Sequence, residues 1–268
     1  MNTLQGTVRL VGDIHGKPHA IPANPEHADH IILLGDIGLG FRPNTDNEPF
    51  NEAVEEGRTE ELLELIHKYA IKGAGGNENV QIWLLRGNHD NPGYWNGSSE
   101  CAKNVYENVN LDELNIHLLQ DEFITINGKK WFVFGGGVSV DVAIRTDGFD
   151  YWHDEIISDF ADITPEHVEG ILSHVGTKPP CVEKTPNAFI EKIIERTGPQ
   201  LHAAIARENS ILESLYTKFT PSRWIYAHWH VGESFMKNDC AHVVLNAEFT
   251  PRYEGLKEFK TSQTIDIQ

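Results

Sequence analysis

The sequence is poor in sulfur, with three cysteines (Cys101, Cys181 and Cys240) and two methionines among 268 residues. The cysteines lie far apart, so their spacing gives neither a disulfide framework nor a paired-thiolate zinc motif. Long apolar runs are also missing. No stretch approaches the roughly 18 consecutive apolar residues of a membrane span. No basic segment leads into an apolar run near Met1, so no secretory signal is visible. A reducing, cytoplasmic setting without a membrane partner is the expectation. Positive charge is scarce too: 22 Lys and Arg against 40 Asp and Glu leave a net charge of −18. Binding to a nucleic-acid backbone depends on Lys and Arg displacing counterions, and no basic or aromatic-basic stretch is present. Extended nucleic acid is therefore not an expected partner, and anionic membrane surfaces should repel the chain.

The remaining composition, 40% hydrophobic and 23% charged, is that of an ordinary globular protein. The length suits one large domain or two small ones. One residue type is abundant: histidine, with 14 copies.

Short apolar runs alternate with segments of helical period. Residues 7–12, 30–35 and 80–86 read as buried strands. Residues 60–72 place Leu62, Leu65, Ile66 and Tyr69 on one helical face. Strands separated by a helix predict βαβ connections and a largely parallel sheet. Pro18, Pro22 and Pro25 leave little room for a helix in the first crossover. Farther on, 122–126 and 130–134 flank Asn127-Gly128, a strong hairpin signal. Residues 170–174, 223–227, 233–237 and 241–245 read as strands, and 187–196 and 199–219 as helices. The segment 42–61, with seven carboxylates against two arginines, reads as a solvated loop entering a helix, or else as a lid.

Five predicted strand ends carry polar clusters: Gly12-Asp13-Ile14-His15-Gly16, Gly35-Asp36-Ile37-Gly38, Arg86-Gly87-Asn88-His89-Asp90, Ser173-His174 and Ala227-His228-Trp229-His230. Alone, Asp13-x-His15 and Asn88-His89-Asp90 read as turns, Gly35-Asp36 as an ordinary strand exit, Ser173-His174 carries no signal, and His228-x-His230 reads equally as a metal pair or an exposed strand. Ligands of open α/β sheets sit at the carboxyl ends of strands, so together the clusters can converge. Asp13, His15, Asp36, Asn88, His174, His228 and His230 then offer two carboxylates, one amide and four imidazoles, with His89 left over. Donors of this kind without thiolate suit Mn, Fe, Ni or Zn. Seven are too many for one tetrahedral ion and suit two ions sharing a carboxylate. In an extended segment Asp-x-His and His-x-His would put both side chains on one side, with Trp229 between two ligands pointing away.

This series of motifs resembles the calcineurin-like metallophosphoesterases, from about residue 8 to 246. The resemblance implies an α/β fold, a four-layer α-β-β-α sandwich with two mixed sheets and a metal site at the carboxyl ends of the strands, forming a single domain over 1–268. It implies two divalent ions, Mn foremost. Asp13, His15, Asp36 and His230 would hold one and Asp36, Asn88, His174 and His228 the other, with Asp36 bridging. It gives His89 the leaving group, with Asp90 orienting it, and Arg86 a phosphate contact. Ala227 stands where the family usually has Gly. Gly38-Leu39-Gly40 replaces the Asp-Arg extension of the protein Ser/Thr phosphatases, which counts against that branch. The stretch 133–141, with Arg145 and Tyr151-Trp152, is similar to a segment of small bacterial and phage members. There, Asp141 and Arg145 would line the pocket or fix the loop.

The implied activity is hydrolysis of a phosphomonoester or phosphodiester of a small molecule or phosphopeptide by a hydroxide bridging two metals. Four added positive charges can draw a small phosphate into a pocket of an otherwise acidic protein. His89 would act as general acid, or would only orient phosphate. Hydrolysis of nucleotide anhydrides such as dinucleoside polyphosphates is the alternative within the class. A non-catalytic scaffold is another, although none of the seven ligand candidates is missing. The other histidines read as surface or satisfied core residues, with His153 the one to watch beside Trp152.

Overall fold

The computed structural model describes residues 1–41, 52–184, 191–192, 195, 197–246 and 264–267. Residues 42–51 of the acidic segment, and most of the helix expected over 187–196, lie outside them.

Two mixed sheets form the centre. The smaller runs β12-β2-β3-β4-β5. Its strands are β2 (Val8–Val11), β3 (His30–Leu34), β4 (Gln81–Leu85) and β5 (Ile116–Leu119), all parallel, with β12 (Thr264–Ile267) antiparallel beside β2. The larger runs β1-β6-β7-β8-β9-β11-β10. It holds β1 (Asn2–Leu4), β6 (Glu122–Ile126), β7 (Lys129–Phe134), β8 (Gly170–Ser173), β9 (Arg223–Tyr226), β10 (Glu233–Lys237) and β11 (Cys240–Val244). The β6–β7 hairpin turns at Asn127 (φ 49°) and Gly128 (φ 78°), as the dipeptide predicts.

Alternation along the strands builds the layers. Leu10, Ile32, Leu34, Trp83 and Leu85 meet Trp131, Val133, Leu172 and Ile225 in a core between the sheets. Their neighbours Val11, Ile31, Leu33, Ile82 and Leu84 face the opposite way, onto Leu62, Leu63 and Ile66 of α1 (Glu52–Gly73). On the far side Phe132, Phe134, Ile171 and Trp224 pack under Ile211, Leu212, Leu215 and Phe219 of α5 (Pro199–Phe219). Strands covered on both faces read as unbroken apolar runs rather than alternating ones. The described residues also hold three short helices: α2 (Gly93–Asn96), α3 (Glu100–Asn108) and α4 (Pro180–Lys184). The first crossover carries one 3₁₀ turn, Pro18–Ala20.

The fold is thus the expected α-β-β-α sandwich. Helix α1 begins at Glu52, earlier than the apolar stripe suggests, because its first turns carry no apolar periodicity. The edge strands β1, β5 and β12 were not expected; they are short, and tertiary pairing decides them. Among the described residues no helix is long and apolar enough to cross a membrane.

Candidate metal centre

The loops after β2, β3 and β4 meet those after β8 and β9. The first two are stitched together, the His15 N–H donating to the Asp36 carbonyl at 2.7 Å and the Gly16 N–H to that of Ile37 at 2.8 Å. Asp13, Asp36, Asn88 and His174 are all nearly inaccessible, at 0–2% exposure.

Donor atoms gather in two groups. In one, His15 Nε2 lies 3.0 Å from His230 Nε2, His230 Nε2 3.4 Å from Asp13 Oδ2, and His15 Nε2 3.9 Å from Asp36 Oδ2. One ligand atom from each of these four residues falls within 4.8 Å of all the others. In the second, Asn88 Oδ1 lies 2.9 Å from both His174 Nε2 and His228 Nδ1, and His174 Nε2 is 3.2 Å from Asp36 Oδ1. Metal–ligand bonds of about 2.1 Å place two donors on one ion about 3.0–3.4 Å apart. Most of these separations match that edge, so the residues fit divalent ions. The Asp36 oxygens face opposite groups, Oδ2 toward His15 and Oδ1 toward His174.

Four of the seven donors have local support. His174 Nδ1–H donates to the Leu34 carbonyl at 2.8 Å, which leaves Nε2 as the lone-pair nitrogen facing the site. Asn88 Nδ2 donates to Ser139 Oγ at 3.1 Å, which turns Oδ1 toward the imidazoles. Asp13 accepts the His228 N–H, and Asp36 Oδ1 the His89 N–H at 2.8 Å. A Cβ on Gly35 (φ 89°) would lie 2.4 Å from His174 Nδ1, and one on Gly87 2.1 Å from the Asp36 amide nitrogen, so a side chain at either position would force a neighbour of the site to move. His15, Asp36, His228 and His230 have φ of 45–67°. Non-glycine residues rarely adopt that left-handed region, and strain of this kind concentrates at functional sites. The Asp-x-His and His-x-His pairs therefore converge through strained turns, not through the alternation of extended chain expected from sequence.

Burial governs the electrostatics. It lowers His15 and His228 and takes His230 down to about 4, so the lone pairs stay free for a cation at neutral pH. Burial and the Asp36 charge raise Asp13 well above its ordinary value. Burial opposes the charge of Asp36 too, but the imidazoles of His174, His89 and His15 hold its carboxyl well below the usual range.

Asp90 and Arg86 make contacts other than those expected of them. Asp90 does not orient the His89 ring. Its carboxylate accepts four backbone N–H groups instead, from Ile37, Gly38, Leu39 and Gly87, pinning the second motif loop to the third. A carboxylate in a tight turn finds unpaired amides nearer than a neighbouring ring. Burial and Asp36 push Asp90 up to about 7 against those four donors. Arg86, expected on phosphate, donates to the carbonyls of Asp154, Glu155 and Ile156 at 2.7–3.2 Å. Its guanidinium anchors a loop.

His89 meets Arg145 instead, whose Nη2 lies 2.6 Å from His89 Nε2. The ring also packs on Phe41 at 4.6 Å and edge-on to His15 at 5.1 Å. Burial takes its pKa down to about 3. Ser139, Phe41 and the buried Glu155 and Glu208 were not singled out from sequence. The two glutamates accept the N–H groups of Ser139 and Val138, holding the Gly-rich loop that carries Ser139. Nothing short of the tertiary contacts marks them. Trp229 turns its indole N–H to the Gly176 carbonyl at 3.1 Å, while His153 is 79% exposed beside Asp147. Ala227 is fully buried between the sheets and donates its N–H to the His174 carbonyl at 3.0 Å. A cleft of about 310 Å³ beside Gly16 and Gly38 is walled by Phe41, Thr59, Leu62 and Leu65.

A family model described as calcineurin-like phosphoesterase matches residues 6–232. The chain belongs to that family. It is a phosphoester hydrolase by class. Among solved structures it is similar to a phosphopantetheinyl hydrolase (PptH) from Mycobacterium tuberculosis, with a TM-score of 0.51 and 12% identity over 100% of this chain and 97% of that one. That likeness is one of fold. A hypothetical protein, PH1004, from Pyrococcus horikoshii OT3 aligns with a TM-score of 0.34 and 13% identity over 90% of this chain and 76% of that one. No curated protein sequence matches the chain.

Proposed function

We propose that this member is a dinuclear metal-dependent phosphoesterase acting in the cytoplasm, as one domain over residues 1–268, on small phosphoesters or phosphopeptides. Asp13, His15, Asp36 and His230 would hold one divalent ion, and Asp36, Asn88, His174 and His228 the other. Mixed imidazole and carboxylate donors suit Mn, Fe, Ni or Zn, and the family resemblance puts Mn first. The observation that carries this reading is Asp36, a nearly inaccessible carboxylate whose two oxygens face two separate donor groups.

Bound there, such ions supply an activated water and neutralise charge on the phosphoryl oxygens. The rest is the work of the chain. Asp90 and its four amide donors fix the loop that presents Asn88 and His89. Ser139 fixes the amide rotamer of Asn88. His89, held between Phe41 and His15, serves as the hydrogen-bond donor to the departing oxygen. The neighbouring cleft of about 310 Å³ has room for a small organic group.

The test is hydrolysis by metal-loaded protein of p-nitrophenyl phosphate, bis-p-nitrophenyl phosphate, cyclic nucleotides and dinucleoside polyphosphates, with His89→Ala alongside. The wild type should cleave at least one of the first two. His89→Ala should lose about 10²–10⁴-fold on alkyl esters with poor leaving groups and far less on nitrophenyl esters, with metal content unchanged. Preferential cleavage of the dinucleoside polyphosphates would move the reading to anhydrides. No cleavage of any substrate would overturn it.

A further inference from the structure

Arg145 is the cation that the active-site reading leaves without a role. Its side chain is only 4% exposed, and three partners fix the guanidinium. Nε donates to Asp141 Oδ1 at 2.7 Å, Nη1 to the Asp150 carbonyl at 2.9 Å, and Nη2 to His89 Nε2 at 2.6 Å. Its face lies 5.5 Å from the centre of the Phe41 ring, which also carries His89. The first two partners, a carboxylate and a carbonyl, are strong acceptors that lock orientation. The third is a neutral imidazole nitrogen, a much weaker partner for a cation than an anionic oxygen. A guanidinium held rigidly by one side and aimed by the other at a replaceable acceptor is arranged to receive an anion.

We propose that Arg145 binds a non-bridging phosphoryl oxygen of the substrate, and that it biases the enzyme toward phosphomonoesters. The assignment rests on the phosphoesterase reading above. A phosphomonoester dianion presents three non-bridging oxygens and two charges; a diester presents two oxygens and one charge. Ions held by the seven ligands serve the oxygens nearest them. The remaining oxygen of a monoester is the natural partner for Nη2, an anionic acceptor that would displace the neutral His89 Nε2 from it. In a diester the same position carries an ester oxygen with little charge, so the guanidinium gains little by leaving His89. The Asp141 ion pair keeps the fork in register, so that the cation enters the complex already ordered.

The experiment compares wild type with Arg145→Met, both Mn-loaded, on p-nitrophenyl phosphate and bis-p-nitrophenyl phosphate, which share a leaving group. Inorganic phosphate binding to the same proteins is measured by calorimetry. A hydrogen bond to a charged group is worth enough to predict a drop of about 100-fold in kcat/KM on the monoester, under about fivefold on the diester, and about tenfold weaker phosphate binding. Arg145→Lys, which keeps the charge without the fork, should fall between the two on the monoester. It decides the question by the same mono-to-diester ratio if Arg145→Met does not fold. Equal losses on both esters, or unchanged phosphate affinity, would overturn the clamp while leaving the hydrolase reading intact. Wild type that binds phosphate through Arg145 but cleaves neither ester, nor the cyclic nucleotides and dinucleoside polyphosphates, would sustain the clamp and overturn the hydrolase reading.

Discussion

The two sheets contribute unlike chemistry to one site. The five-stranded sheet supplies Asp13, Asp36 and Asn88, the oxygen donors, together with His15; the seven-stranded sheet supplies His174, His228 and His230, imidazoles only. Their supports differ as well. The oxygen side is held by backbone N–H groups donating to carboxylates, and His174 by a ring N–H donating across to the carbonyl of Leu34 on the other sheet. Alone, the first half would bury two carboxylates whose charges oppose each other. Alone, the second would bury His228 beside His174 and His230, which disfavour its protonation. Facing across the seam, each offsets the other, and the donor set exists only because the core between the sheets fixes their spacing.

The largest break in this arrangement should come from Asp36→Asn, which removes the one carboxylate common to both donor groups. Loss of both metal ions and of more than about 10³-fold in activity is expected, as judged by metal analysis and kinetics, since two-metal chemistry needs both sites. An active variant retaining two ions would end the bridging assignment.

Gly35→Ala probes the seam itself. The new methyl would press on His174, which belongs to the other sheet, while the residue keeps a positive φ. A displaced ligand support should weaken metal binding by about 10–100-fold, seen as a higher metal concentration for half-maximal activity. Unchanged affinity would mean that the halves are less tightly coupled than their contacts imply.

The smallest expected effect concerns the loop beside the seam. Burial raises Glu155 to about 8, so the folded protein holds its proton where the unfolded chain has released it. Its contribution to stability is therefore complete below about pH 4.5 and declines as pH rises toward 8, by up to about 1.4 kcal/mol per unit. Glu155→Gln should flatten that segment of the stability–pH curve in urea titrations of the metal-free protein, whatever its effect on absolute stability. Parallel curves for wild type and variant would contradict the burial argument.

The oxygen half was easier to read from sequence than its supports. Asp13, Asp36 and Asn88 each follow an apolar run that can only be a buried strand, so their placement at one sheet edge followed from periodicity. The layered fold was legible for the same reason. The roles expected of Asp90 and Arg86 came from the family resemblance, whereas here a tight turn offers amides to the acid and a loop offers carbonyls to the arginine. Arg145 reaches His89 from 56 residues away, through a 3₁₀ turn (Val142–Ile144) with no periodic signal. The edge strand β12 pairs with β2 through a bidentate Arg9–Asp266 contact spanning almost the whole chain, which local pattern cannot reveal.

Anomalous diffraction from crystals grown with Mn²⁺ tests the central claim most directly. Two peaks are predicted, one touching Asp13, His15, Asp36 and His230, the other touching Asp36, Asn88, His174 and His228, with Asp36 in contact with both. A single peak, or peaks that leave the imidazoles of the seven-stranded sheet untouched, would contradict it.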